Sequence, residues 1–446
     1  MQLAGRRALV VGLGKSGVAA ARLLATHGAR VALADDKGGE ALADSLRQLE
    51  DVPHERYLAG LRAEAFHGRD LVVVSPGVPL SDRHLAEARA RGVEVIGEVE
   101  LAARFVQEPI VGITGTNGKS TTTALTAHLL RAAGKKVFAG GNLGDPLSNR
   151  VLSGGKLDAT VCELSSYQLE GIVSLRCAAA AALNVTPDHL DRYPSLEAYA
   201  AAKERIFENQ KAGDAAVLNL ADPRVAAMRT PAGVRRRGFD GRGRNAEAAG
   251  FLRAKAVLAA DGAEYDLRAP TLRGAHNAEN ALAALLLARH LGAPPWALQQ
   301  GLDTYPGLPH RLEPVRTLDG VEWVNDSKGT NVDSVQKSLS AFDRGVLLIM
   351  GGRGKGAPYR PLRALFPDRV RALLTIGEDA PRIAEELGDL VAVTACGDLR
   401  TAVAQARQLA RAGDTVLLSP ACASYDQFRN FEDRGDQFKA LVRGLS

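Results

Sequence analysis

Two stretches of this chain share one grammar: a short apolar run, a glycine-rich turn, then a segment with helical periodicity. The first is RALVVGLGKSGVAAARLLATHG and the second is IVGITGTNGKSTTTALTAHLLRAAG. Runs this short and this apolar suit strands buried on both faces of a parallel sheet. A parallel strand needs a crossover before its neighbour, and a helix is the usual one. VALADD completes the first unit as βαβ, and KVFAGGN the second. Later runs repeat the pattern: DLVVVSPGVP, VEVIGE, DATVCELSS, AAALNV, DAAVLNLADP, GVLLIMGG, RALLTIG, LVAVTACG and DTVLLSP. The expected class is therefore α/β, with mostly parallel sheets.

At 446 residues the chain exceeds one ordinary core. Three domains are predicted: a Rossmann-like nucleotide-binding domain over 1–97, a central P-loop-type domain over 98–307, and a Rossmann-like C-terminal domain over 308–446. The last boundary is placed at the Pro/Gly-rich YPGLPHR, read as a hinge. Ligands of open parallel sheets lie beyond the carboxyl ends of the strands. Polar clusters stand there repeatedly, after Ile113, Cys162, Val185, Met350 and Leu418.

Composition narrows the functions. Aromatic residues make up 5%, too few for a platform that stacks single-stranded bases. The net charge of +5 suits anionic ligands. The densest basic run, RRRGFDGRGR over 235–244, is broken by Gly and Asp and reads as a solvated loop rather than a nucleic-acid patch. Cys162, Cys177, Cys396 and Cys422 form no CxxC pair, so reduced thiols are expected. No run of 18 apolar residues exists to span a membrane. The apolar run near the N-terminus is broken at once by Gly and Lys, unlike a signal peptide. A cytoplasmic monomer that engages neither nucleic acid nor membrane is expected.

The glycine turns carry the first chemistry. GLGKSG places Gly12, Gly14 and Gly17 between a strand and a helix, with Asp35 and Asp36 some twenty residues on. That is the spacing of a dinucleotide fingerprint, in which backbone N–H groups and a helix N-terminus attract a diphosphate. A nicotinamide cofactor fits, and so does any nucleoside diphosphate; a tight turn without ligand is the plainer alternative. The second turn departs from the usual P-loop, because the position of its first glycine is Ile113. Its glycines are Gly112, Gly115 and Gly118, expected to bring the backbone close to phosphate oxygens, and Lys119 would neutralise β/γ charge. A hydroxyl of Ser120 or Thr121 would reach Mg²⁺. Two phosphate-bearing ligands are thus expected. Magnesium on a nucleotide takes one or two carboxylates. Glu163 at a strand end is the first choice; Asp188, His189 and Asp191 follow another strand.

GITGTNGKSTT, ELSSYQLE, NVTPDHLDRYP, AAKERIF, HNAENALAA, GLPHRLE, NDSKGTN and SPACASYDQFRNFEDRG occur in order over nearly the whole chain. Together they resemble the Mur ligases, and within that family the branch that adds D-glutamate in peptidoglycan synthesis. The resemblance implies ATP-dependent amide formation between UDP-N-acetylmuramoyl-L-alanine and D-glutamate through an acyl phosphate. It implies ATP at Gly115, Thr116, Asn117, Gly118, Lys119, Ser120 and Thr121, with Asn277, Asn280, Arg311, Asp326 and Lys328. Asn277 and Asn280 are three apart and share a helix face. Magnesium, expected as two ions, would be held by Ser120, Glu163, His189 and a carbamate on Lys203. Lys119, Lys203 and His189 would be catalytic. The UDP substrate would take Gly14, Ser16, Asp35, Asp36, Lys37, Asn142 and His189, and D-glutamate would take Thr330, Lys355, Ser424 and the backbone near Phe431.

A carbamate forms only on a neutral amine, whereas an ordinary lysine titrates near 10.4. Local desolvation must therefore lower the pKa of Lys203, although its place in AAKERIF reads as a helix surface. Two positions depart from the family pattern: Asp36-Lys37 in the uracil region, and Arg353 where an acid is frequent. Other amide ligases of the superfamily, acting on diaminopimelate, L-alanine or folate, are the nearest alternative; the Asp-Asn-Pro-Arg signature of the diaminopimelate enzymes is missing. A binding protein that uses GLGKSG for NAD is the alternative from another class.

Overall fold

The structure is a computed structural model that describes all residues except 143, 189–191, 242, 244, 246 and 255, and the side chain of Pro270. Among the described residues the strands form three sheets. The first has β1 (Arg7–Val11), β2 (Arg30–Asp35), β3 (His54–Leu58), β4 (Leu71–Val74) and β5 (Glu94–Gly97). Their order is β3-β2-β1-β4-β5, and every pairing is parallel. The chain reverses direction of travel across the sheet at β1, and GLGKSG leaves that switch point, where such sheets bind ligands.

The second sheet has β6 (Ile110–Thr114), β7 (Val137–Gly141), β8 (Ala159–Glu163), β9 (Ala179–Ala182), β10 (Ala215–Asn219), β11 (Arg235–Asp240), β12 (Gly250–Ala254), β13 (Val257–Ala260) and β14 (Ala263–Asp266). The order is β14-β13-β12-β11-β10-β9-β6-β8-β7, parallel except for the β12–β13–β14 meander at one edge. The third has β15 (Glu313–Leu318), β16 (Val321–Asn325), β17 (Val346–Gly351), β18 (Val370–Ile376), β19 (Ala392–Gly397) and β20 (Thr415–Leu418), ordered β15-β16-β20-β17-β18-β19. It is parallel except for the β15–β16 hairpin.

The sequence reading of the basic run needs correction. Arg235–Asp240 is not a solvated loop but β11, paired parallel to β10 from Ala215↔Arg235 to Asn219↔Phe239. Arg235 and Arg236 are exposed while Phe239 and Asp240 are buried, so the strand is anchored by its carboxyl end. The long arginine stems keep their charged heads in water while the backbone joins the ladder. The rest of the run includes residues outside the described set.

The chain divides into two compact units: Met1–Asp266 with Glu279–Leu302, and Leu267–Ala278 with Asp303–Ser446. The first two sheets fall in one unit because they share an apolar core. Val18, Leu23, Val99, Leu147 and Ile110 belong to that cluster and are almost wholly buried. Among the described residues, no helix is long and apolar enough to cross a membrane. All four cysteines are free and buried.

Candidate active site

β6 runs into the loop 115–118 and then into the helix Lys119–Ala132. Only two of the three glycines read as phosphate-loop residues belong to the loop. Gly112 lies within β6, where a Cβ would stand 2.6 Å from Cys177 Sγ and 3.0 Å from Ile206; it is a packing glycine, which corrects the expectation. Gly115 and Gly118 have φ of 150° and 85°, values that L side chains rarely adopt. A Cβ on Gly118 would also lie 2.3 Å from Asn280 Oδ1. The helix starts without a side-chain cap or an acid in its first turn, leaving its positive end to an anion.

The segment that follows β9 and a later helix hold this loop. Asn184 accepts from Asn117 N (2.8 Å) and donates to Asn117 O (3.1 Å), while its own carbonyl accepts from Thr116 N (2.9 Å). Thr186 N donates to Thr116 Oγ1 at 3.1 Å. Thr122 Oγ1 donates to Asn280 Oδ1 at 3.3 Å, so Asn280 meets both the loop and its helix. Lys119 folds back over the turn, donating to Gly115 O (2.9 Å) and Thr116 O (3.0 Å).

A second lysine shares that carbonyl. Lys203, in the helix Leu196–Glu204, is 1% exposed and donates to Gly115 O at 2.9 Å. Its Nζ stands 4.2 Å from the centre of the Tyr199 ring. Burial, then the nearby Lys119 charge, push its pKa down to about 6, against the opposite pull of Asp188 and Glu163. At neutral pH the amine is mostly uncharged. The surface position suggested by sequence is thus replaced by a buried one, because loop 115–118 packs over the end of that helix turn.

Glu163 ends β8, which pairs with β6 at Ile113↔Glu163. It is 3% exposed, and its Oε1 accepts from Asn142 Nδ2 at 2.7 Å. Among the described residues its Oε2 is buried without a hydrogen-bond partner, as are Thr114 Oγ1 and Thr123 Oγ1. A half-satisfied buried carboxylate beside a phosphate loop suits a hard cation with oxygen ligands. Among the described residues no group of three His, Cys, Asp or Glu side chains could hold a metal by itself. Ser120 is buried at the helix start. His189 and Asp191 lie outside the described residues.

The GLGKSG turn borders a cavity of about 420 Å³ lined by residues 11–16, 35–37, 61 and 75–78. Gly17 is sterically fixed: a Cβ there would lie 1.9 Å from Gly12 O. Gly14 faces open space, so a ligand can approach its backbone. The two acids brace loops: Asp35 accepts from Leu13 N (2.7 Å) and Lys37 N (2.9 Å), and Asp36 from Leu61 N (3.1 Å). Lys37 is exposed and Ser16 half-buried. Asn142, expected with this group, directs its amide to Glu163.

In the second unit, Asp326 is buried and accepts from Ser338 Oγ (2.6 Å), Ser419 Oγ (2.7 Å) and Leu312 N (3.2 Å). Burial raises its pKa to about 6 despite those donors. The Lys328 ammonium stands 5.1 Å from the Phe431 ring centre, and Ser327 Oγ donates to Phe431 O at 2.8 Å. Thr330 N donates to Lys328 O at 2.8 Å, and Asn277 Nδ2 to Arg273 O at 2.9 Å. Arg311 N donates to Leu308 O at 3.3 Å. Ser424 is buried, Lys355 is exposed, and Arg353 pairs with Glu378 through two bonds of 2.9 and 3.0 Å. His310, Leu312 and Ala421 all have positive φ, a cluster of backbone strain around these loops.

Three family models match the chain: Mur ligase MurD-like, N-terminal domain over 6–97; Mur ligase middle domain over 113–288; and Mur ligase, glutamate ligase domain over 310–422. The chain is 54% identical to the UDP-N-acetylmuramoylalanine--D-glutamate ligase of Myxococcus xanthus, covering 100% of both chains. It is 56% identical to the like-named protein of Anaeromyxobacter dehalogenans over 99% of this chain and 98% of that one.

The chain belongs to the Mur ligase family.

Solved Mur ligases share its fold. The UDP-N-acetylmuramate-alanine ligase of Thermotoga maritima matches with TM-score 0.60 at 20% identity, over 98% of this chain and 99% of that one. MurF of Acinetobacter baumannii matches with TM-score 0.61 at 16% identity, over 98% and 91%. This Mur ligase also uses residues that sequence reasoning did not single out. Asn184 is one; its only signal was a polar residue at a strand end. Arg434 is another, fully buried and donating to Ser327 Oγ (3.0 Å), Ser327 O (2.9 Å) and Cys422 O (3.3 Å). Burial lowers its pKa to about 10. It stood inside a quoted motif, but nothing in a helix-patterned FEDRG marks an arginine as buried.

Proposed function

We propose that this Mur ligase joins D-glutamate to UDP-N-acetylmuramoyl-L-alanine, with cleavage of ATP, in peptidoglycan synthesis. The observation that carries the reading is the identity of 54% and 56%, over essentially the full chain, with two ligases named for D-glutamate. The geometry supports the chemistry. A carboxylate does not condense with an amine directly, because oxide is too poor a leaving group. Its oxygen instead attacks the γ-phosphorus of ATP and ADP departs. The D-glutamate amine then attacks the acyl carbon, loses a proton, and orthophosphate leaves. The protein contributes positioning and charge neutralisation.

The nucleotide is assigned to Gly115–Thr121 and Asn280, and Asn277, Arg311, Asp326 and Lys328 keep the roles the resemblance implies. Lys119, which donates to Gly115 O and Thr116 O, would release those carbonyls and turn to phosphate oxygens. Ser120, Glu163, His189 and a carbamate on Lys203 would hold Mg²⁺, which when bound neutralises phosphate charge. The lowered pKa of Lys203 supports this: its uncharged nitrogen can bond to the carbon of CO₂ and lose a proton. The cavity beside Gly14, Ser16, Asp36 and Lys37 is assigned to the uridine diphosphate, with Asn142 and His189 serving the same substrate, and Thr330, Lys355, Ser424 and Phe431 to D-glutamate. Three functional modules, 1–97, 98–307 and 308–446, follow, in a monomer working in the cytoplasm.

The test is orthophosphate release from ATP and UDP-N-acetylmuramoyl-L-alanine with D-glutamate, L-glutamate or diaminopimelate. Release that requires D-glutamate is expected. Release with another acceptor alone, or with none of the three, would sink the reading.

A further inference from the structure

The two loops assigned above to D-glutamate meet over a buried phenol. One leaves β17 and carries Lys355; the other follows β20 and carries Ser424. Their backbones join as a short antiparallel bridge, with Arg353 N donating to Ala423 O (2.9 Å) and Ala423 N to Arg353 O (3.0 Å). Gly351 N also donates to Pro420 O at 2.9 Å. That bridge stops before Lys355, and residues 355–358 are exposed.

The next buried side chain is Tyr359, 2% exposed. Its hydroxyl donates to Asp379 Oδ2 at 2.5 Å and contacts Cys422 Sγ at 3.0 Å. Burial and the Asp379 carboxylate push the phenol pKa upward, so it stays a donor. Asp379 reaches the lysine loop from the other side. Its N–H donates to Gly352 O at 3.0 Å, and a Cβ on Gly354 would lie 2.0 Å from its Oδ2. The carboxylate therefore sits directly under the residue before Lys355. Nothing in the chemistry described so far uses either side chain.

We propose that Tyr359 and Asp379 form a positioning pair that sets the separation of Lys355 from Ser424, and thereby selects the length of the acceptor amino acid. The proposal rests on the assignment of those two loops to D-glutamate. The phenol ties the far end of the lysine loop to Cys422, two residues before Ser424, and the carboxylate props Gly354. An acceptor whose two carboxylates must reach both loops is measured by that spacing.

Tyr359→Phe removes one oxygen and keeps the packed ring, so the fold is retained; Asp379→Asn removes the charge at similar size. Initial rates are measured with each substrate varied in turn, with D-aspartate as the acceptor shorter by one methylene, and melting temperatures are recorded alongside. The KM for D-glutamate should rise about three-fold in Tyr359→Phe and about ten-fold in Asp379→Asn, as lost charge-assisted bonds to a positioned loop predict. The KM for ATP and for the UDP substrate should stay put, and the preference for D-glutamate over D-aspartate should fall. An unchanged KM for D-glutamate in both variants, or a loss of kcat alone that tracks melting temperature, overturns the positioning pair. No turnover by the unmodified protein overturns the D-glutamate reading itself, and this inference with it.

Discussion

The GLGKSG turn and the GTNGKS turn are built alike, strand into glycine loop into uncapped helix, yet the structure equips them differently. At the first, the nearby acids are occupied with backbone: Asp35 holds Leu13 and Lys37, and Asp36 holds Leu61. At the second, two lysines converge on one carbonyl, Gly115 O, and one of them is buried. On the proposed reading, the first would cradle a ligand whose phosphates stay intact. On that same reading the second would meet a reacting phosphate with Lys119, while the buried Lys203 beside it is mostly uncharged at neutral pH.

The sharpest break between the two is Lys119→Ala. Loss of the phosphate-facing charge should lower turnover by about 10³-fold. The melting temperature should move little, since the side chain is half-buried and its bonds to Gly115 O and Thr116 O go to carbonyls of its own turn. Lys203→Ala should be as inactive, with partial rescue by small carboxylates in a steady-state assay; full activity at ambient CO₂ would end the carbamate assignment.

Lys203 also predicts opposite signs for activity and stability. Its folded pKa is about 6, while the unfolded side chain titrates near 10.4. Between those values the unfolded chain carries a proton that the folded one lacks, so this group's cost is absent above pH ~10 and grows as pH falls toward ~6. Lys203→Met should therefore be the more stable protein at neutral pH, by an amount on the order of a few kcal/mol. Denaturant midpoints in CO₂-free buffer at several pH values check this: a difference that does not widen toward pH 6 would contradict it.

At the first turn the effects are steric and smaller. Gly17→Ala should cost about 2 kcal/mol in denaturant unfolding, because its Cβ meets a backbone oxygen. Asp35→Asn should raise the KM for the UDP substrate by roughly ten-fold, since one of two braced N–H groups loses its acceptor. Gly14→Ala, into open space, should leave stability within about 0.5 kcal/mol. A large destabilisation there would remove the distinction between the two glycines.

Much of this was legible beforehand. Each apolar run singled out in the sequence is a strand, and the turns at Gly12 and Gly115 stand where the periodicity changes from strand to helix. What escaped notice had the wrong composition for its place. β3, HERYL, is polar because it is an edge strand with exposed residues. β11 begins with three arginines and by sequence reads as loop, since no local pattern reports that β10 is waiting for a partner. Gly112 looked like part of the loop because spacing cannot tell a glycine that admits phosphate from one that admits Cys177.

The order of strand, turn and helix, and the presence of two glycine turns between strand and helix, were determined by the sequence alone, because periodicity and glycine placement act within a few residues. The burial of Lys203 and Arg434, the unpartnered oxygen of Glu163 and the Tyr359–Asp379 contact were decided only by the tertiary structure. Those properties depend on which distant segments cover a side chain and exclude water from it, and desolvation is a sum over neighbours that no local stretch of sequence contains.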